Sequence, residues 1–459
     1  MKRALGIGYF LLAVFPAPGW AGVAEDRLAQ AVRDDNQPAV KSLLAAHANP
    51  NALLADKSSV LAWAVDRQDT QTVDLLLAAG AKPRALVPDG VSPFALACEL
   101  GNADIVESLL KAGADATAIR PDGISVFAVC AGTSTPQVLE SLIAKGANVN
   151  AADPQGQTPL MRAAVQGRTD NINFLIKNGA DVNAVEKKGF TPLFFALRSK
   201  VPSASTALMD AGANVNASLR DGTSVVQAAV LVNNLPAAIQ AVSRGADLTR
   251  ADKEGRQVIH MAAATGDADF VKMVLSKGGD ANAMTVIPHS AAPVVVAAAA
   301  PPPVAGAVPQ PRRPPPLQPM PVPATPLQFA ARAGSVAAMK VLVEAGAMPD
   351  LKGPDGMTLA MSAANGGKLD AMQYAYELDP HLDAIARGGR SIMHLAVANK
   401  QAPEPEAVIQ FLADKGAKLD VPDDRNSTAG DDVNRGGAES TRVFYIELLR
   451  KHGIVSTSH

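Results

Sequence analysis

Gly90, Gly123, Gly156, Gly189, Gly222 and Gly255 follow one another every 33 residues. Gly80, Gly113, Gly146, Gly179, Gly212, Gly245 and Gly278 keep the same interval in a second phase. Two phases locked to one period restrict the chain to an array of small supersecondary units. No single unit can bury its own apolar face, so neighbours must stack. The prior of one domain per 100–200 residues therefore does not apply to this 459-residue chain. Its residues are 48% hydrophobic but only 4% aromatic, which suits close-packed small helices better than one aromatic core.

One unit reads clearly from Pro154 to Ala184. Thr158 can cap a helix through its hydroxyl, and Pro159 suits the first helical position, where its missing N–H costs nothing. Leu160, Ala163 and Ala164 give that helix an apolar face, with alanine allowing close approach, and Gly167 ends it. A second helix carries Leu175 and Ile176 and ends at Gly179; Asp181 to Gly189 is then polar and turn-rich, as an extended hairpin loop requires.

Thr-Pro-Leu recurs at Thr158, Thr191 and Thr325, with Ser92-Pro93-Phe94 as a close variant, and Gly-Ala-Asn/Asp-Val-Asn-Ala recurs at Gly146, Gly179 and Gly212. In these words the unit resembles the ankyrin repeat over nearly all of the chain after the N-terminal segment. The resemblance implies an all-α repeat solenoid: helix–turn–helix units with extended hairpin loops, in a curved array. Eleven units start near Ala24, Asp56, Val87, Arg120, Asp153, Glu186, Leu219, Asp252, Ala324, Gly353 and Ala386, and a damaged twelfth ends in Phe444 to Gly453. Residues 24–286 form a block of eight repeats and 324–459 a block of three with an irregular cap. The first unit presents Asp26, Arg27, Gln30 and Arg33, as a polar cap should. The tenth has Leu378-Asp379-Pro380 where Gly-Ala is expected, and the eleventh has extra residues around Pro403 and Pro405. In the last unit the polar run between Pro422 and Glu439 replaces the first helix and reads as a loop.

Residues 1–23 read as an export signal. Lys2 and Arg3 precede the apolar run Ala4 to Phe15, Pro16, Pro18 and Gly19 break it, and Ala21 or Ala24 offers a cleavage residue. That run is short for a membrane span, and no later stretch is long and apolar enough to cross one. Residues 287–323 interrupt the repeats with Pro, Ala and Val and read as an extended or disordered spacer, reaching on the order of 100 Å at about 3.1 Å per residue. The repeat phase jumps by 68 residues from Gly255 to Pro323, so the segment either replaces a decayed repeat or is inserted in a hairpin loop. Arg313 to Pro319 matches a basic Pro-x-x-Pro docking pattern, but such matches arise readily in proline-rich tracts. Cys98 and Cys130 stand at adjacent small-residue positions of successive repeats and read as buried thiols in place of alanine.

Chemistry is sparse. His260 and His394 follow the first apolar residue of a first helix; by the resemblance, a histidine there holds the adjacent loop. His47 and His452 fall where second helices end, where a cation suits the dipole. The pairs Asp34-Asp35, Asp423-Asp424 and Asp431-Asp432 lie in polar segments and read as solvated. No zinc-protease helix, nucleophile elbow, phosphate loop or calcium loop occurs, and no cofactor or metal is expected. With 42 basic against 44 acidic residues and no basic stripe, nucleic-acid binding is disfavoured.

What remains is surface. By the resemblance, hairpin tips and first helices line a concave face that binds a partner protein. The tip residues are Arg120, Asp122, Glu186, Lys187, Lys188, Arg220, Asp221, Lys253 and Glu254, with Arg162 and Arg198 on first helices. The expectation is a monomeric, non-enzymatic scaffold in the bacterial periplasm. Its rivals are an inhibitor of the immunity type, acting on a toxin or an envelope enzyme, and a secreted effector acting on host proteins.

Overall fold

The computed structural model describes residues 24–51, 58–84, 91–285 and 323–454. The proposed export signal and nearly all of the proline-rich segment lie outside them. Among the described residues, twenty-four α-helices fall into twelve consecutive pairs, and antiparallel pairing is confined to isolated bridges such as Ile119 with Ser125 and Ser218 with Ser224. The described residues form an all-α repeat solenoid in two compact units, divided between Asp181 and Val182.

Capping and steric fit fix each pair locally. The helix Pro159–Val165 starts where Thr158 Oγ1 accepts the Met161 N–H (3.3 Å); Ser92 does the same for Pro93–Leu100, accepting from Ala95 at 3.1 Å. The second helix of the same repeat, Thr169–Lys177, stops at Gly179. There φ is +85°, which glycine adopts without a Cβ clash, and the Ala180 N–H closes back on Leu175 O (2.9 Å). First helices pack through alanine: Ala97, Ala163, Ala164, Ala262, Ala263, Ala330 and Ala331 are all fully buried. Second helices bring the bulk, with Ile105, Leu109, Leu139 and Leu142 fully buried, each contributing roughly 1.5–3 kcal/mol by transfer from water.

An asparagine ladder sets the register between repeats. The Asn150 amide donates to Gly179 O (2.9 Å) and accepts the Asp181 N–H (2.9 Å). Asn183 makes the same pair with Gly212 (3.2 Å) and Asn214 (2.8 Å). Asn282 repeats it with Gly346 (2.9 Å) and Met348 (2.8 Å), at a separation of 64 residues instead of 29. The helix Val258–Thr265 packs on Pro326–Ala333, and Ala268–Ser276 on Val336–Glu344. Thr285 N–H donates to Ala324 O (2.8 Å). Within the unit 182–459 the repeats on either side of the proline-rich segment thus stack directly on one another. The segment is an insertion of 35 residues (64 less 29) and replaces no repeat.

Two expectations are corrected. Cys98 and Cys130 are not thiols: they form a disulfide, with Cα atoms 4.7 Å apart. The last unit keeps its first helix, Ala429–Gly436, because Thr428 and Asp431 cap each other's backbone N–H and Ala429 and Val433 supply a buried face. His47 lies just past the end of its helix, as expected, with φ +63° at the place where later repeats carry glycine.

Candidate protein-binding surface

In the unit 182–459, three successive hairpins share one turn. Gly189 N–H donates to Glu186 O, Gly222 N–H to Leu219 O and Gly255 N–H to Asp252 O, at 2.9, 3.0 and 2.9 Å. The tips are thereby residues 187–188, 220–221 and 253–254. Gly222 lets the next hairpin approach: with φ +84°, a Cβ there would lie 2.8 Å from Ala251 O. Arg220 reaches back across one period and donates to the Lys187 carbonyl, tying two tips together.

Two of the four acidic residues of this row, Glu186 and Asp252, work inward. Glu186 is buried, and its carboxylate accepts the N–H groups of Lys188 (2.8 Å) and Phe190 (3.0 Å). Asp252 is likewise buried, accepts from Glu254 (3.0 Å) and Arg256 (2.9 Å), and pairs with the Arg256 guanidinium at 2.7 Å. Glu186 was expected on the exposed tip; it is instead the brace inside the turn. Where Leu219 replaces this carboxylate, Asp221 takes the load from the other side, accepting the Thr223 N–H at 3.1 Å. Hydrogen bonds from Thr223, and then the nearby Lys253 charge, hold the Asp221 carboxyl below its ordinary range against the opposing effect of partial burial. Glu254 is engaged by Arg256 and, at 3.7 Å, by Lys253.

The cations of the same row face water. Lys187, Lys188, Arg220 and Lys253 are exposed, and among the described residues Lys187 and Lys188 form no ion pair. Arg250 is exposed beside them, and Val185 adds apolar surface at 63% exposure. Arg198 is exposed at the end of the first helix Pro192–Ser199.

The other three predicted residues belong to the unit 1–181. Arg120 is held between Glu99 and Asp122, the latter at 3.3 Å, and is mostly buried. Arg162 pairs with buried Asp153 at 3.2 Å. Both guanidiniums are committed within the repeats. Arg120 also edges a shallow pocket of about 160 Å³ with Phe94, Asp115 and Ile119, below the volume usual for a small-molecule site.

His260 and His394 hold neighbouring loops, as expected. His260 Nδ1 accepts the Gln257 N–H (3.0 Å), which leaves Nε2 as the donor to Ala283 O (3.0 Å) and Ala324 O (3.2 Å). His394 takes the Ser391 N–H at 3.2 Å and donates to Ser427 O at 3.0 Å. Gln227 and Gln328, in the same slot of other repeats, make matching bonds to the Ser224 and Thr325 N–H groups and to the following hairpin. These glutamines and the asparagine ladder carry no chemistry that marks them in sequence; their recurrence at one repeat position is the only signal.

Among the described residues no group of three or more His, Cys, Asp or Glu converges as a metal site, and no helix is long and apolar enough to cross a membrane. A family model described as ankyrin repeats (3 copies) matches residues 28–120, 126–218 and 327–423. The chain belongs to the ankyrin-repeat family. Repeats of this family are generally non-catalytic modules for protein–protein interaction. A search of curated proteins finds no match.

Proposed function

We propose that this protein is an exported, non-enzymatic scaffold of the bacterial envelope that holds one partner protein against the hairpin row of residues 182–257, and that the facing surface of the partner is acidic. The observation that carries this reading is the asymmetry of the row. Lys187, Lys188, Arg220 and Lys253 are exposed, while Glu186 and Asp252 are turned inward; of the two exposed carboxylates, Asp221 accepts from Thr223 and Glu254 is engaged by Arg256 and Lys253. Cations in register along stacked tips steer an acidic surface and fix its orientation, whereas Val185 offers apolar contact beside them. The export part of the reading rests on Lys2, Arg3 and the apolar run that follows.

The test is Lys187→Glu with Lys188→Glu and Arg220→Glu in the full chain, followed by capture of envelope proteins. A partner retained by the wild type and lost from the triple variant, with binding that weakens as salt rises, is the expected result. Equal retention by both chains would place the interface elsewhere.

A further inference from the structure

Four first helices carry a pair of alanines one turn after their start: Ala163-Ala164, Ala262-Ala263, Ala330-Ala331 and Ala363-Ala364. In two successive repeats the pair is Ala97-Cys98 and Cys130-Ala131, so the cysteines are 32 residues apart, one short of the period. That one-residue stagger brings the later place on Pro93–Leu100 opposite the earlier place on Val126–Thr133. Both cysteines are fully buried, as are Ala97 and Ala131 beside them and Phe94 and Phe127 on the same helices. The Thr133 hydroxyl, bonded to Cys98 O, closes the end of the contact.

Disulfides form by exchange. One thiolate attacks a disulfide of an oxidant, giving a mixed disulfide and expelling one oxidant thiolate. The second cysteine thiolate then attacks the chain's own sulfur, forming Cys98–Cys130 and expelling the other. Two thiols become one disulfide with loss of two protons, and the oxidant's disulfide is reduced to two thiols. The mixed intermediate carries the oxidant on a sulfur that has no solvent contact in the folded stack. We propose that Cys98–Cys130 is closed by a dithiol–disulfide oxidant before these two helices dock, and that docking then seals the bond. A chain folded in an oxidising compartment keeps it against later reductant; a chain folded reduced is shut out from later oxidation. The pair thus records the compartment in which the array folded, independently of which partner it binds.

The full chain tests this in both directions. Oxidised folded protein is exposed to dithiothreitol, and chain refolded in the reduced state is exposed to oxidised glutathione, each with and without urea. Thiols are counted by the mass added by a maleimide polymer after denaturation. The Cys98→Ala, Cys130→Ala chain, which restores the alanine of other repeats, is the tagging control. Exchange without urea is expected to be at least roughly a hundredfold slower than with it, since the interface must open first. Exchange as fast in the folded as in the unfolded chain would overturn the proposal, and so would two free thiols in protein folded with oxidant present. If the reduced chain does not refold, resistance of the oxidised fold to dithiothreitol decides the question alone.

Discussion

Replacing His260 isolates how one repeat grips the next. The imidazole is fully buried, accepts from Gln257, donates to Ala283 O and Ala324 O, and meets Phe329 edge-on at 5.4 Å. His260→Ala takes the ring's bond from the Gln257 N–H and Ala283 O, leaves Ala324 O with only the Thr285 N–H, and opens a cavity. Unsatisfied buried groups cost about 1–3 kcal/mol each and some will find water, so a net loss of about 3–5 kcal/mol is expected. His260→Gln should lose no more than about 1 kcal/mol, because Gln227 and Gln328 make the same bonds from the same slot. The two variants also separate in pH. Burial holds the His260 imidazole below its ordinary value of 6.5, with its hydrogen bonds to Ala283, Ala324 and Gln257 opposing. As pH falls through about 6.5 the unfolded chain takes up a proton that the folded chain does not, so the wild type loses stability toward acid. His260→Gln removes that contribution. Urea unfolding between pH 8 and pH 5, with hydrogen exchange read in Val258–Thr265 and Pro326–Ala333, measures both effects. Equal destabilisation by Ala and Gln, or an unchanged wild-type-minus-Gln difference across this range, would refute the reasoning.

Three further outcomes follow from the same geometry. Deleting residues 287–321 restores the ordinary 29-residue spacing between an Asn282-type amide and its glycine; the chain should fold unchanged by circular dichroism and gain at most about 2–3 kcal/mol from the shorter loop. Glu186→Ala should cost about 1–2 kcal/mol in urea unfolding through loss of the turn brace, while Lys188→Ala leaves stability within about 0.5 kcal/mol. Tyr445→Phe should destabilise the last repeat by about 1 kcal/mol, read as faster exchange in Glu439–Lys451, because Leu419 O loses the buried phenol donor at 2.7 Å.

The parts legible in sequence are those where one residue type answers one backbone need. Thr158 with Pro159, Gly179 and His260 each announce a cap, a stop or a clamp, and they stand where the period puts them. What escaped depends on facing relations between repeats. The Cys98–Cys130 bond follows only once the later place of one helix is known to face the earlier place of the next. Asn150, Asn183 and Asn282 look like ordinary loop polarity until their amides are seen to span one repeat. Glu186 looks like a tip charge because its neighbours Lys187 and Lys188 are; its carboxylate turns back to its own hairpin. Ala429–Gly436 escaped because its composition is polar, although Thr428 and Asp431 were a readable capping box.

The most direct test of the account is a photo-crosslinking residue placed singly at Lys188, Lys253 and, as a control, the exposed Lys272 on the second helix Ala268–Ser276, each in the full chain in its own cell. The account predicts one common protein adduct at positions 188 and 253, absent at 272 and abolished by Arg220→Glu with Lys187→Glu. An adduct at 272 with none at 188 or 253 would contradict it.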